Sequence, residues 1–230
     1  MLRELAVEYL DMNRREFLKL CSAVAGMLGL SELHIPRIAE ALEGNAKRPP
    51  VIWVNFSSDS GCTESFVQTA YPPIDKVVLD LLSLEFNETI QAAAGSQAEE
   101  ALFGAVDRYR GQDICAVEGG VPTIDNGQWL TIAGKTGEEI LLEVAQNAKV
   151  ILAIGSCSFD GNIVRGTPNP SQVRGIMEID GVDTSKLINL PGCPCNPRWV
   201  IATVTYLLLM GSPPEMDQYL RPKMIYGQLV

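Results

Sequence analysis

With 230 residues, 47% of them hydrophobic and 20% charged, the chain is long enough to bury a substantial core and has the composition of a globular protein. A formal net charge of -10 argues against nucleic acid and anionic membrane surfaces as partners, because phosphate recognition needs clustered Lys and Arg. Six cysteines are too few for a disulfide scaffold in a chain of this size, which leaves metal binding or simple packing.

The first segment, "NRREFLKLCSAVAGMLGL", pairs Arg14 with Arg15 ahead of Phe17 and Leu18 and runs on through a moderately apolar stretch. That stretch is too short for a spanning helix, which needs ~20 apolar residues. The pattern resembles a twin-arginine export signal, with Ala39-Glu40-Ala41 as a cleavage site; a basic amphipathic helix is the alternative. A signal of that kind implies cofactor insertion before export, and a place in the periplasm or on the outer face of the cytoplasmic membrane. "GNAKRPP" reads as an exposed linker, since Pro49 and Pro50 favour extended chain. Residues 1–46 are therefore expected to be signal region and linker, and 47–230 the folded domain, with its first strand near Val51.

From there the chain alternates. Short apolar runs at 51–56, 113–121, 149–157 and 186–193, rich in β-branched residues and each closed by a turn signal, read as strands buried on both faces. "LSLEFNE", 82–88, supplies a further strand. Between them, 63–70, 74–84, 96–109, 137–148 and 197–210 carry helical periodicity. The alternation predicts an α/β, flavodoxin-like or doubly wound parallel sheet with helices on both faces.

In such a sheet every strand-to-helix loop opens on one edge, where ligands bind. Cys62, Cys157 and Cys193 each follow a different predicted strand, so three thiols remote in sequence are expected to meet there, with Glu118 of "VEGGVP" beside them. The competing reading is three unrelated loop cysteines. Cys21 and Cys115 lie inside apolar runs and read as small buried hydrophobes. Zinc would want four Cys or His ligands, and the single histidine, His34, falls in the signal region; separate thiolates suit an iron-sulfur cluster better. Gly155, Gly161 and Gly192 fit this, since backbone must approach a cluster closely. Asp59 stands three positions before Cys62, where a second cysteine would complete C-x-x-C. The fold alone also allows an FMN carrier or a metal-free interaction subunit.

Taken together, "GCTESF", "AYPPIDKVVLDLLSLEFNETIQAAAGSQAEEAL", "VEGGVPT", "AIGSCSFDGN", "GTPNPSQ", "LPGCPCNP" and "RPKMIYGQ" form an ordered series that resembles the small, electron-transferring subunit of nickel-iron hydrogenases. The resemblance implies a flavodoxin-like domain holding a proximal 4Fe-4S cluster. It also implies a partner large subunit carrying the nickel-iron centre and a downstream acceptor such as a cytochrome. On it, Cys62, Cys157 and Cys193 match three of four cluster ligands and Asp59 falls on the fourth. Three alternatives stay open: Asp59 merely caps the following helix; Cys195, where the family has proline, supplies the fourth ligand; or a three-iron cluster needs none. Ser58 replaces a family glutamate, and Gly61 and Asn162 stand where oxygen-tolerant members carry extra cysteines. Glu64 and Glu118 are expected to face the large subunit. The histidine and cysteines for medial and distal clusters would lie beyond "MIYGQLV", so one cluster is expected in this chain. The quinone-proximal subunit of respiratory complex I shares the fold, but the adjacent cysteines that mark it are missing here.

Overall fold

The computed structural model describes residues 14–27, 31–42, 48–70 and 72–227. Residues ahead of Arg14, most of the expected linker (43–47) and the last three positions lie outside the described residues. The chain divides into two compact units, one of Pro50–Val67 with Leu84–Pro197, the other of Met1–Pro49, Gln68–Ser83 and Arg198–Val230.

The first unit is built on a five-stranded sheet in the order β2-β1-β3-β7-β9, where β1 is Pro50–Asn55, β2 Ser83–Asn87, β3 Ile114–Glu118, β7 Val150–Ile154 and β9 Leu187–Leu190. The pairs β1/β3, β3/β7 and β7/β9 are parallel, in a register that sets Asn55 beside Glu118 and Glu118 beside Ile154. Every residue of β3, β7 and β9 is buried, the condition a parallel strand meets when both faces are covered. Cys115, fully buried in β3, is a packing residue, as its apolar run suggested.

Four helices belong to this unit: α1 (Gly61–Val67) after β1, α2 (Ser96–Tyr109) between β2 and β3, α3 (Gly137–Asn147) between β3 and β7, and α4 (Ser156–Asp160) after β7. Leu102 of α2 and Ile140 of α3 line one hollow with Val54 of β1, so both helices cover the same face of that strand. Trp53, its neighbour in β1, points to the opposite face, where Phe66 of α1 packs on it with ring centroids 5.2 Å apart. Helix α3 is started by a capping box: Thr136 accepts from the Glu139 amide and Glu139 accepts from the Thr136 amide.

Apart from β1, the observed strands are shorter than the apolar runs that announced them. The run at 113–121 breaks after Glu118, and Val121 joins a separate ribbon, β4 (Val121–Pro122), antiparallel to β8 (Val173–Arg174). The hairpin of β5 (Thr131–Ile132) and β6 (Lys135–Thr136) was not foreseen. Its turn residues Ala133 and Gly134 both have positive φ, as a two-residue hairpin loop demands, but alanine is not the residue that advertises one. The helical reading of 74–84 ends early. Helix over Ile74–Lys76 widens into a π-turn at Val77–Leu81, and Ser83 already belongs to β2.

In the second unit, Cys21, Val24 and Ala25 of helix Arg14–Met27 pack with Ile38 of helix Ile35–Leu42 and with Ala202 and Leu209 of helix Pro197–Met210. Arg37 donates to the Leu209 carbonyl at 3.0 Å. The segment read as an export signal thus contributes side chains to this core, and Cys21 is one of them. Among the described residues no helix is long and apolar enough to cross a membrane.

Candidate metal centre

The loops leaving the carboxyl ends of the strands are tied to one another by backbone. Ser57 and Gly120 exchange N–H···O bonds of 3.0 and 3.2 Å, joining the loops after β1 and β3. Ser156 N–H donates to the Gly192 carbonyl at 2.9 Å, and Gly192 N–H to Ser156 Oγ at 3.1 Å, joining the loops after β7 and β9. Ser65 Oγ donates to the Cys195 carbonyl at 3.1 Å, which links α1 to the last loop. Gly119, at φ +98, is required where these loops cross, because a Cβ there would lie 2.8 Å from the Phe56 backbone.

Glu118, at the end of β3, holds the start of α1. Its Oε1 accepts from Cys62 N–H at 2.9 Å; its Oε2 accepts from Thr63 N–H at 3.0 Å, Thr63 Oγ1 at 2.6 Å and Trp53 Nε1 at 3.2 Å. A helix start leaves amides without intrahelical partners and favours negative charge nearby, so one carboxylate serves both needs. Burial raises the Glu118 carboxyl above the usual range, and the four donors pull it back. This corrects the expectation that Glu118 faces a partner: it is 1% exposed and turned inward, whereas Glu64 is exposed. Neither Thr63 nor Trp53 was singled out from sequence, since the tie depends on β1 and β3 being neighbours.

The thiols lie along the same edge. Cys62 is buried in the first turn of α1, Cys157 is half-buried in α4, and Cys193 is exposed in the loop after β9. Burial pushes the Cys62 thiol up to about 12, opposed by an N–H from Cys195 and reinforced by the charges of Glu118, Cys157 and Asp59. Cys157 is raised as well, first by burial, against a hydrogen bond from Asn162, and then by Cys193, Asp59 and Glu118. The three cysteines therefore feel one another in a chain, from Cys62 to Cys157 to Cys193. Asn162, noted from sequence only as a departure, places Nδ2 at 3.9 Å from Cys157 Sγ.

Asp59 is exposed, and its charge reaches both Cys62 and Cys157. Its Oδ1 accepts from Gly61 N–H at 2.9 Å, so it also closes the turn that leads into the helix. Cys195 is placed differently. It is 1% exposed, its sulfur faces the Asn196 carbonyl at 3.7 Å, and among the thiols it interacts with Cys62.

The donor set suits an extended cofactor. Among the described residues no three His, Cys, Asp or Glu side chains converge closely enough for one metal ion. A tetrahedral zinc with bonds of about 2.3 Å to sulfur would hold its thiolates within about 4 Å of each other. Thiols that interact from separate loops fit a group several atoms across, of the iron-sulfur kind. Gly155, between them at φ +90, forms a cradle: a Cβ there would lie 2.5 Å from Cys62 Sγ and 3.5 Å from the Gly192 carbonyl.

Comparison with known proteins gives the family. The family described as NADH ubiquinone oxidoreductase, 20 Kd subunit, matches residues 60–207, a span that holds four of the edge cysteines. The periplasmic [NiFe] hydrogenase small subunit of Solidesulfovibrio fructosivorans is 43% identical over 219 residues, covering 95% of this chain and 68% of that protein. The chain belongs to the nickel-iron hydrogenase small-subunit family. The hydrogenase-2 small chain of Escherichia coli K12 is 38% identical over 95% of the chain and 58% of its own length. The fold of the present chain is shared with the Ni-Fe-Se hydrogenase of Desulfomicrobium baculatum, at a TM-score of 0.71 and 28% identity over 77% of this chain and 70% of that one. This small-subunit chain thus spans between 58% and 68% of the length of these two curated relatives.

Proposed function

We propose that the chain is the electron-transferring small subunit of a nickel-iron hydrogenase and that Cys62, Cys157, Cys193 and Asp59 hold a proximal 4Fe-4S cluster. The observation that carries the reading is the convergence of three thiol-bearing loops, after β1, β7 and β9, around a glycine that leaves room beside Cys62. Bound there, such a cluster supplies one-electron storage between a hydrogen-activating centre in a large subunit and an acceptor such as a cytochrome. The chain's own residues give three thiolates, a carboxylate on the rim and a rigid backing. Glu118 fixes the amides of Cys62 and Thr63, and Asn162 offers an N–H toward Cys157. Binding must displace the protons of the Cys62 and Cys157 thiols, which burial holds more tightly than usual, and the iron charge offsets this.

Asp59 is favoured over Cys195 as the fourth donor because its charge bears on both Cys62 and Cys157, whereas the Cys195 sulfur is buried and among the thiols bears on Cys62 alone. An oxygen donor on one iron makes that iron harder and alters the cluster's electronic structure. Medial and distal clusters are not assigned to this chain. The Arg14-Arg15 pair and the periplasmic naming of the S. fructosivorans relative support export by the twin-arginine route to the periplasm.

The test is iron and sulfide analysis with electron paramagnetic resonance on the small subunit purified anaerobically with its large subunit. Four sulfides are expected, with four irons beyond the iron that the large subunit's nickel-iron centre contributes. Asp59→Ala converts the signal to that of a three-iron cluster, Asp59→Cys restores four irons with an altered spectrum, and Cys195→Ala leaves the wild-type spectrum. An unchanged cluster signal in Asp59→Ala removes Asp59 from the ligand set.

A further inference from the structure

Cys195 meets the site through two groups. Its thiol faces the Asn196 carbonyl at 3.7 Å and interacts with Cys62 and the Gly155 amide, while its backbone N–H donates to Cys62 Sγ at 3.3 Å in a buried setting. The preceding residue, Pro194, has no N–H to give, so the amide of residue 195 is the first after Cys193 able to reach that sulfur. An N–H directed at a cysteine sulfur draws negative charge from it, and hydrogen bonds to sulfur are among the factors that set an iron-sulfur potential. The effect favours the state with the extra electron, because that state places more charge on the sulfur.

We propose that Cys195 is a positioning residue that raises the reduction potential of the bound cluster through its backbone N–H to Cys62 Sγ rather than through its thiol. This rests on Cys62 being a cluster ligand. A proline at 195, which the family resemblance leads one to expect, would lack this donor. The cysteine here therefore matters as a residue that is not proline, and alanine or serine serves equally well.

The test uses the complex with its large subunit and follows the cluster's signal through a redox titration. Cys195→Ala keeps the wild-type midpoint. Cys195→Pro moves it to more negative potential, so that the ratio of reduced to oxidised cluster at a fixed poise falls about tenfold, equivalent to about 59 mV for a one-electron couple. If the proline variant does not assemble, protein grown on 15N-cysteine replaces it. Pulsed resonance detects a coupled 15N nucleus from residue 195 in the wild type that becomes 14N in Cys195→Ala. An unshifted midpoint in a fully loaded Cys195→Pro, an alanine variant that shifts as far as the proline one, or identical nitrogen spectra overturns the proposal while the cluster reading stands. Wild-type protein without iron and sulfide overturns both.

Discussion

Replacing Gly155 by alanine puts a methyl carbon 2.5 Å from Cys62 Sγ, well inside contact distance, at a residue with φ +90 and ψ 161. That backbone region is open to glycine and strained for other residues, at a cost of order 1–3 kcal/mol. Overpacking a buried site adds about 1–3 kcal/mol more. Relief requires Cys62 to move. Its amide is held by Glu118 and its sulfur by the Cys195 N–H, so strain passes directly to a proposed ligand. Gly181→Ala is the matched control. It too has a positive φ, +92, but its Cβ would meet only the Leu142 methyls, Cδ2 at 3.2 Å and Cδ1 at 3.8 Å, the far end of a flexible side chain. The expected result is an unfolding free energy, from urea titration, lowered in both variants, by about 2–6 kcal/mol at Gly155 and about 1–3 kcal/mol at Gly181. Iron and sulfide per chain should fall by more than half in the first alone. Gly155→Ala with full iron content and the stability of Gly181→Ala would refute the idea that this glycine exists to make room beside Cys62.

Two other outcomes follow from buried carboxylates. Glu118→Gln can keep three donors on its amide oxygen but turns an NH2 group toward Cys62 N–H, leaving a buried amide unsatisfied; a loss of about 1–3 kcal/mol is expected, with a changed cluster spectrum. A wild-type spectrum in that variant would detach Glu118 from the site. Asp113, just ahead of β3, is 1% exposed with Oδ1 lacking a hydrogen bond, and burial raises it from 3.8 to about 6, against its own amide and Lys186. The unfolded chain releases this proton first, so ionisation favours unfolding. Stability from this group falls as pH rises from about 4 to 6 and is flat above. The full effect is at most about 3 kcal/mol, and screening reduces it to about 1–2 kcal/mol. Asp113→Asn should therefore raise the urea midpoint at pH 7 more than at pH 5. An equal gain at both would show that the charge is not what burial penalises.

Much of this molecule could be read one residue type at a time. β-branched runs closed by Gly, Pro and Ser gave the strands, and the periods between them gave α2 and α3, because those signals are local and repeated. Topology then placed Cys62, Cys157 and Cys193 on one edge, since parallel strands all end on the same side. The β5/β6 hairpin escaped because Ala133 adopts a left-handed conformation that its own chemistry does not announce.

What the sequence could not rank was how the edge residues divide their work. Glu118, Asp59 and Cys195 are each a polar residue at a strand end or in the loop that follows. Only with β1 beside β3 and β7 beside β9 does the first become an inward anchor for α1, the second a rim carboxylate near two thiols, and the third a backbone donor to Cys62. Sequence determines which groups reach the edge, through patterning along one strand at a time. Direction and burial, which decide what each group does there, arise from contacts between strands far apart in the chain.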